Sequence, residues 1–237
     1  MRAETAIVKN IVRLDEAYEA VEQRDPGVEG MVLVYGATGA GKSTAIRRLQ
    51  DRSNAIYTEA SPSWSLQGML RSIMFACGVD PKGRAADMEK YVVDHMMGEN
   101  RPLIVDELDH LMLPGQSTTL RMLEALRSLY DKSGMPVVMV GMDKIDRKIK
   151  LREQLSRRIF QWVRFDDLDY EDIRTTADSL CEVAVADDLL DHLVRQVGAR
   201  MGWIVPNLAR IERRAKGNGW SEIDLAGWGD RPFQRPS

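Results

Sequence analysis

Residues 32–49 read VLVYGATGAGKSTAIRRL, and within them stands Gly36-Ala37-Thr38-Gly39-Ala40-Gly41-Lys42-Ser43. An apolar run ends at Tyr35, a glycine-rich turn follows, and an amphipathic segment opens at Lys42 or Ser43. This strand–turn–helix setting fits the pattern G-x-x-x-x-G-K-[ST], a phosphate-binding loop. Glycines let the backbone turn tightly, so that its N–H groups converge on an anion. The helix start adds unpaired N–H groups and the positive end of its dipole. Lys42 is expected to reach the β- and γ-phosphates of ATP, and Ser43 to offer its hydroxyl to Mg²⁺. Gly36, Ala37, Thr38, Gly39, Ala40, Gly41, Lys42, Ser43 and Thr44 form the expected nucleotide-binding set.

Outward from this loop, strands and helices alternate. Glu4 to Val21 carries helical periodicity, with Ile7, Ile11, Leu14 and Tyr18 on one side. Short apolar runs at 31–35, 55–58, 103–105 and 136–141 read as buried strands, and FQWVRF (160–165) as a fifth. Helices are expected between them, at 42–51, 66–77, 86–97, from PGQSTT to about Lys132, and at 144–155. After Asp166 the buried-strand signature stops, and helices are expected near 170–181, 187–197 and 207–216. The final LAGWGDRPFQRPS is rich in Gly and Pro and reads as a loose tail. The fold class is therefore α/β: a mostly parallel sheet with helices on both faces, followed by a small helical lid. Residues 1–166 are expected as the core with its N-terminal helix, 167–218 as the lid and 219–237 as a flexible tail.

LIVDELDHL (103–111) supplies the second half of the chemistry. A buried strand in such a sheet presents Asp106 at its carboxyl end, where ligands of open α/β sheets bind. Asp106 is expected to hold Mg²⁺ through a water, and Glu107 to orient or deprotonate an attacking water. Asp109 reads as a helix-start acid. A small-molecule kinase needs no water-activating glutamate beside its metal aspartate, so the pair favours ATP hydrolysis used as a switch.

Composition narrows the class. The chain has 237 residues, 44% of them hydrophobic, enough for a sizeable core. No apolar run reaches the roughly 18 residues of a membrane span. The first residues, with acids inside their apolar pattern, are not a signal peptide, and the expected location is the cytoplasm of a bacterial cell or phage-infected host. Cys77 and Cys181 lie far apart in apolar settings and read as buried thiols. His95, His110 and His192 have no zinc-ligand spacing. A net charge of −3 opposes coating of nucleic acid by bulk charge, but leaves room for a local basic surface.

GATGAGKST, LIVDELDHL, VVMVGMD and LSRRIFQWVRF together resemble an AAA+ ATPase, and more narrowly the Mu B and TnsC group of DNA transposition regulators. AIYTEASPSWS and LRSLYDKSGMPVVMVG add to the likeness, which covers roughly residues 4 to 215. The resemblance implies ATP bound between neighbouring subunits, and self-association on duplex DNA as rings or helical filaments. It also implies recruitment and stimulation of a transposase, and disassembly on hydrolysis. It implies an arginine finger reaching a neighbour's γ-phosphate; Arg157 and Arg158 fit that place, Arg158 slightly better. Asp143 stands where the family carries a polar sensor. The lid's sensor arginine has no clear counterpart: Arg200 and Arg210 are nearby, but none directly follows Gly202. A helicase loader or replication initiator of the same superfamily is the alternative reading.

DNA contact, without sequence preference, is expected from basic patches. These are PKGR with Lys82 and Arg84, KIDRKIKLR with Lys144, Arg147, Lys148, Lys150 and Arg152, and RIERRAKGNGW with Arg210, Arg213, Arg214 and Lys216. Gln116 to Thr119 add neutral donors suited to phosphate.

Overall fold

The computed structural model describes residues 1–112 and 118–234. In chain order it builds α1 (Lys9–Glu22), β1 (Met31–Gly36), α2 (Lys42–Ser53), β2 (Ile56–Glu59), α3 (Leu66–Ala76), α4 (Ala85–Gly98) and β3 (Leu103–Asp106). A single 3₁₀ turn, Leu108–Leu111, precedes α5 (Thr118–Ser133) and β4 (Val137–Met142). Then come α6 (Ile145–Lys150), α7 (Glu153–Ser156), β5 (Ile159–Phe165), α8 (Tyr170–Leu180) and β6 (Ala184–Val185). The chain continues through α9 (Asp187–Val197), α10 (Met201–Gly217), β7 (Glu222–Ile223) and α11 (Leu225–Trp228).

The chain divides into two units: Arg13–Gly36 with Ala45–Arg164, and Met1–Val12 with Ala37–Thr44 and Phe165–Ser237. The first holds the sheet, in the order β2-β3-β4-β1-β5. The pairs β2/β3, β3/β4 and β4/β1 are parallel. Alternate strand residues Met31, Leu33, Leu103, Val105, Val137 and Met139 join one cluster with Met69, Ile73, Val92 and Leu126 from the helices. The residues between them, Val32, Val34, Ile104, Val138 and Val140, are equally inaccessible. Both faces are therefore covered, which is why these strands read as unbroken apolar runs. Gly36 pairs in register with Met142, and Glu59 with Asp106, so the carboxyl ends of β1, β4, β2 and β3 share one edge. At the other edge Met31 donates its N–H to the Arg158 carbonyl at 3.1 Å.

The second unit buries Ile173, Ala177, Leu189, Leu193, Ile204, Leu208 and Ile211 from α8, α9 and α10. The Asp169 side chain caps α8 by accepting the Asp172 N–H at 2.9 Å. Three expectations need correction here. The helix expected from Asn207 begins at Met201 and runs through Pro206. Residues from 219 onward, expected as a loose tail, carry β7 and α11 and bury Trp228 to 2% exposure. The fully buried Asn207 amide explains the attachment: it donates to Gln234 O at 2.9 Å, and its oxygen accepts the Gln234 N–H at 2.8 Å. The segment expected as one helix over 144–155 is two short ones, broken at Leu151 and Arg152.

Candidate functional site

The loop of residues 37–44 has the backbone that its glycines require. Gly39 and Gly41 sit at φ of +80° and +94°, a region that costs other L-residues about 1–2 kcal/mol. The Lys42 ammonium folds back over the loop and donates to the Ala37 carbonyl at 3.0 Å. Thr38, Ser43 and Thr44 are exposed, the last two in the first turn of α2. Ala40 is buried. The start of α10 lies directly on the loop: the Gly202 N–H donates to the Gly39 carbonyl at 2.8 Å, and Met201 approaches Gly41. Beside the loop is a cavity of about 200 Å³, walled mainly by Ala6, Ile11, Phe165, Leu180, Met201 and Val205, and reaching Ala40, Gly41 and Thr44. An apolar slot of this kind beside a phosphate loop suits a flat base. Sequence patterning missed it, because its walls come from three stretches that are distant along the chain.

In the sheet unit, Asp106 ends β3 and is only 7% exposed. Its Oδ1 accepts the Glu107 N–H at 2.7 Å, and its Oδ2 lies 3.3 Å from the Tyr57 hydroxyl. That hydroxyl also donates to Glu59 Oε1 at 2.8 Å. Burial, then the Glu59 hydrogen bond and the Asp106 charge, push the Tyr57 hydroxyl far above its ordinary pKa. It therefore stays protonated and serves as a donor. Tyr57 and Glu59 were not singled out from sequence; an alternating strand next to the Asp-Glu strand was the available signal.

Glu107 is half-buried and adopts a left-handed backbone, φ 53° and ψ 38°. Such a conformation in a non-glycine residue costs on the order of 1 kcal/mol and is held by its surroundings. The Glu107 carbonyl accepts the His110 N–H at 2.9 Å. Asp109 is the first-turn acid the sequence suggested, and its carboxylate also accepts the Met142 N–H at the end of β4. The His110 ring Nδ1 is 2.9 Å from the Ala60 carbonyl, just past β2. A Cβ at Gly141 would meet both Asp109 and Ile145, so any side chain there forces them to shift. Asp143 is exposed beyond it.

The two arginines are in different states. Arg158 bonds Asp131 at 2.7 Å and Glu29 at 2.8 Å, and the Asp131 bond foremost raises its pKa. Arg157 is 72% exposed and, among the described residues, pairs only with Glu153, one turn away on its own chain. Arg158 lies in an open polar cleft of about 590 Å³ with Glu22, Arg24, Asp25 and Glu29. Arg200 precedes α10, where it bonds Asp167 at 3.0 Å and stacks on Trp203.

The basic patches also separate. Arg210 lies over Trp228, Arg214 bonds the Gly227 carbonyl and lies over Trp220, and Lys216 pairs with Glu182 and Glu212. Three of that patch's four cations are thus engaged in lid packing. Lys82 pairs with Asp80, and Arg84 precedes α4 with its side chain exposed. Lys150 pairs with Asp146 and covers Trp162. Lys144, Arg147, Lys148 and Arg152 are exposed and have no ion pair among the described residues. The donors expected from Gln116 to Thr119 lie outside the described residues and side chains.

The Asp106 carboxylate is a hard oxygen donor of the kind Mg²⁺ takes, beside water and phosphate oxygens. Among the described residues no group of three or more His, Cys, Asp or Glu could hold a metal ion. None of the described helices is long and apolar enough to cross a membrane.

Comparison with known proteins agrees with this geometry. The family described as AAA domain matches residues 24–149, more than half of the chain. A curated relative, the Mu-like prophage FluMu DNA transposition protein B of Haemophilus influenzae, is 33% identical over 123 residues. That match covers 51% of this chain and only 40% of the relative. Among solved structures, the Aeropyrum pernix Orc1 protein in complex with DNA has a TM-score of 0.64 at 15% identity, over 94% of this chain and 64% of that one. Cdc6p from Pyrobaculum aerophilum has 0.62 at 16% identity, over 91% and 63%. Domain III of the Thermotoga maritima replication initiation protein DnaA has 0.59 at 15%, over 94% and 91%. At these identities the likeness is one of fold. With its phosphate loop, its parallel five-stranded sheet and this match, the chain belongs to the AAA domain family.

Proposed function

We propose that this chain is an ATP-dependent, DNA-binding regulator of transposition, of the Mu B group. It would assemble on duplex DNA with ATP, recruit and stimulate a transposase, and disassemble when ATP is hydrolysed. The observation that carries this reading is the 33% likeness to a DNA transposition protein B, alongside an intact Lys42, Asp106 and Glu107.

In this reading the backbone N–H groups of residues 37–44 and the Lys42 ammonium hold the β- and γ-phosphates. The apolar cavity beside the loop takes the base. Ser43 and Asp106 would hold Mg²⁺, which neutralises charge growing on the phosphate oxygens when bound. Glu107, set by its left-handed turn, orients the attacking water and takes its proton. Asp143, exposed past β4, is the polar group available to sense the γ-phosphate. Of the two arginines, Arg157 is the better finger for a neighbouring subunit, since reaching outward costs Arg158 two carboxylate bonds.

The α6 face is the best DNA surface. Lys144, Arg147 and Lys148 follow i, i+3, i+4 spacing away from the buried Ile145 and Ile149, and Arg152 follows at the break before α7. Such contacts read phosphates without sequence preference, and an assembly multiplies weak contacts by avidity. Lys82 and Arg84 are secondary candidates.

The test is ATP hydrolysis by the purified chain with and without duplex DNA, beside electron microscopy with a non-hydrolysable ATP analogue. Rings or filaments that need both nucleotide and duplex support the reading. A monomer under all conditions removes the assembly claim, and preference for single-stranded DNA redirects the chain to a replication role.

A further inference from the structure

We infer that Tyr57 is a positioning residue for Asp106, and that Glu59 is a competing acceptor which sets how firmly Tyr57 holds it. The inference rests on the proposed Mg²⁺ role of Asp106. Register brings the three groups together: Glu59 pairs with Asp106 across β2 and β3, and Tyr57, two residues earlier, projects on the same side of the sheet as Glu59. The Tyr57 oxygen stands 2.8 Å from Glu59 Oε1 and 3.3 Å from Asp106 Oδ2. A phenol has one proton, so it can serve only one of these carboxylates fully at a time.

Asp106 is buried and has its other oxygen committed to the Glu107 N–H. A buried carboxylate in that position needs its remaining lone pairs directed, or it rotates away from the cation it serves. The Tyr57 hydroxyl is the side-chain donor at Oδ2. Glu59 is exposed and draws the proton toward solvent, so the grip on Asp106 is partial in this structure.

The experiment is a titration of Mg²⁺ into the full chain with a fluorescent ADP analogue, which reads binding without turnover. Tyr57→Phe keeps the ring and removes the hydroxyl. The Mg²⁺ midpoint is expected to rise about tenfold, in line with the loss of an outer-shell partner, with metal-free nucleotide affinity unchanged. A midpoint equal to wild type overturns the inference and leaves the ATP reading standing. Nucleotide binding by the wild type that ignores Mg²⁺ overturns both. If Tyr57→Phe does not fold, Glu59→Gln replaces it. Weakening the competing acceptor sends the proton to Asp106 and lowers the midpoint; an unchanged midpoint overturns the inference.

Discussion

The Gly202 N–H donates to the Gly39 carbonyl at 2.8 Å, joining the first turn of α10 to the phosphate loop through backbone alone. Glycine at 202 is what lets the two backbones come this close. A Cβ on Gly202 would lie 3.1 Å from Gly39 Cα and 3.3 Å from its oxygen. The start of α10, which carries no arginine directly after Gly202, touches the glycine loop itself.

Gly202→Val is accordingly expected to lower nucleotide affinity about tenfold, since overpacking of this kind costs about 1–3 kcal/mol and 1.4 kcal/mol is a factor of ten. Gly217, at the other end of the same helix, has open space around its Cβ position. Gly217→Ala is the control and should bind as wild type. Fluorescent nucleotide titration of both variants decides the matter; equal affinities would mean the backbone contact is incidental.

Glu107→Gln should retain ATP binding and lose turnover by at least 100-fold, the lower range for a general base. Assemblies on DNA should also live longer. Steady-state phosphate release and filament lifetime measure the two halves. Turnover near wild type would remove Glu107 from its role.

The two arginines predict opposite phenotypes. Arg158→Ala removes the bonds to Asp131 and Glu29 and should lower Tm by about 2–4 °C, corresponding to about 1 kcal/mol for half-exposed pairs in a chain of this size. Arg157→Ala should leave Tm unchanged and cut assembly-dependent hydrolysis by about 1,000-fold. Thermal melts and DNA-stimulated hydrolysis separate them, and the reverse pattern would return the finger to Arg158.

Along and beside α6, replacing Lys144, Arg147, Lys148 and Arg152 one at a time by Ala should weaken duplex binding uniformly across sequences. Each should reduce the slope of log affinity against log salt by about 1. Arg210 and Lys216, bound up in the lid, should not change the slope when replaced. Fluorescence anisotropy at several salt concentrations reads this directly.

Burial pushes the thiols of Cys77 and Cys181 up to about 11. A raised thiol pKa means less thiolate at a given pH, so both should alkylate roughly 100-fold more slowly than a free cysteine near pH 8. Mass spectrometry after brief iodoacetamide treatment checks it, with unfolded protein as the fast reference.

What could be read directly from the residues was whatever is local or periodic. The glycine loop is eight contiguous residues whose glycines, lysine and serine stand in the order of a phosphate-binding pattern. The strands at 31–36, 103–106 and 137–142 are covered on both faces, so their apolar runs announced them, and Asp106 and Glu107 followed as the polar residues where one run stops. What only the tertiary structure decided is whatever depends on residues far apart in the chain. Tyr57 meets Asp106 through strand register, and Gly202 meets Gly39 through the lid. Arg158 is tied down by Glu29 and Asp131, and Asn207 fastens the final segment through Gln234. A hydrogen bond depends on a few tenths of an ångström between groups placed by packing, whereas a periodic pattern records only which side of an element is kept from water.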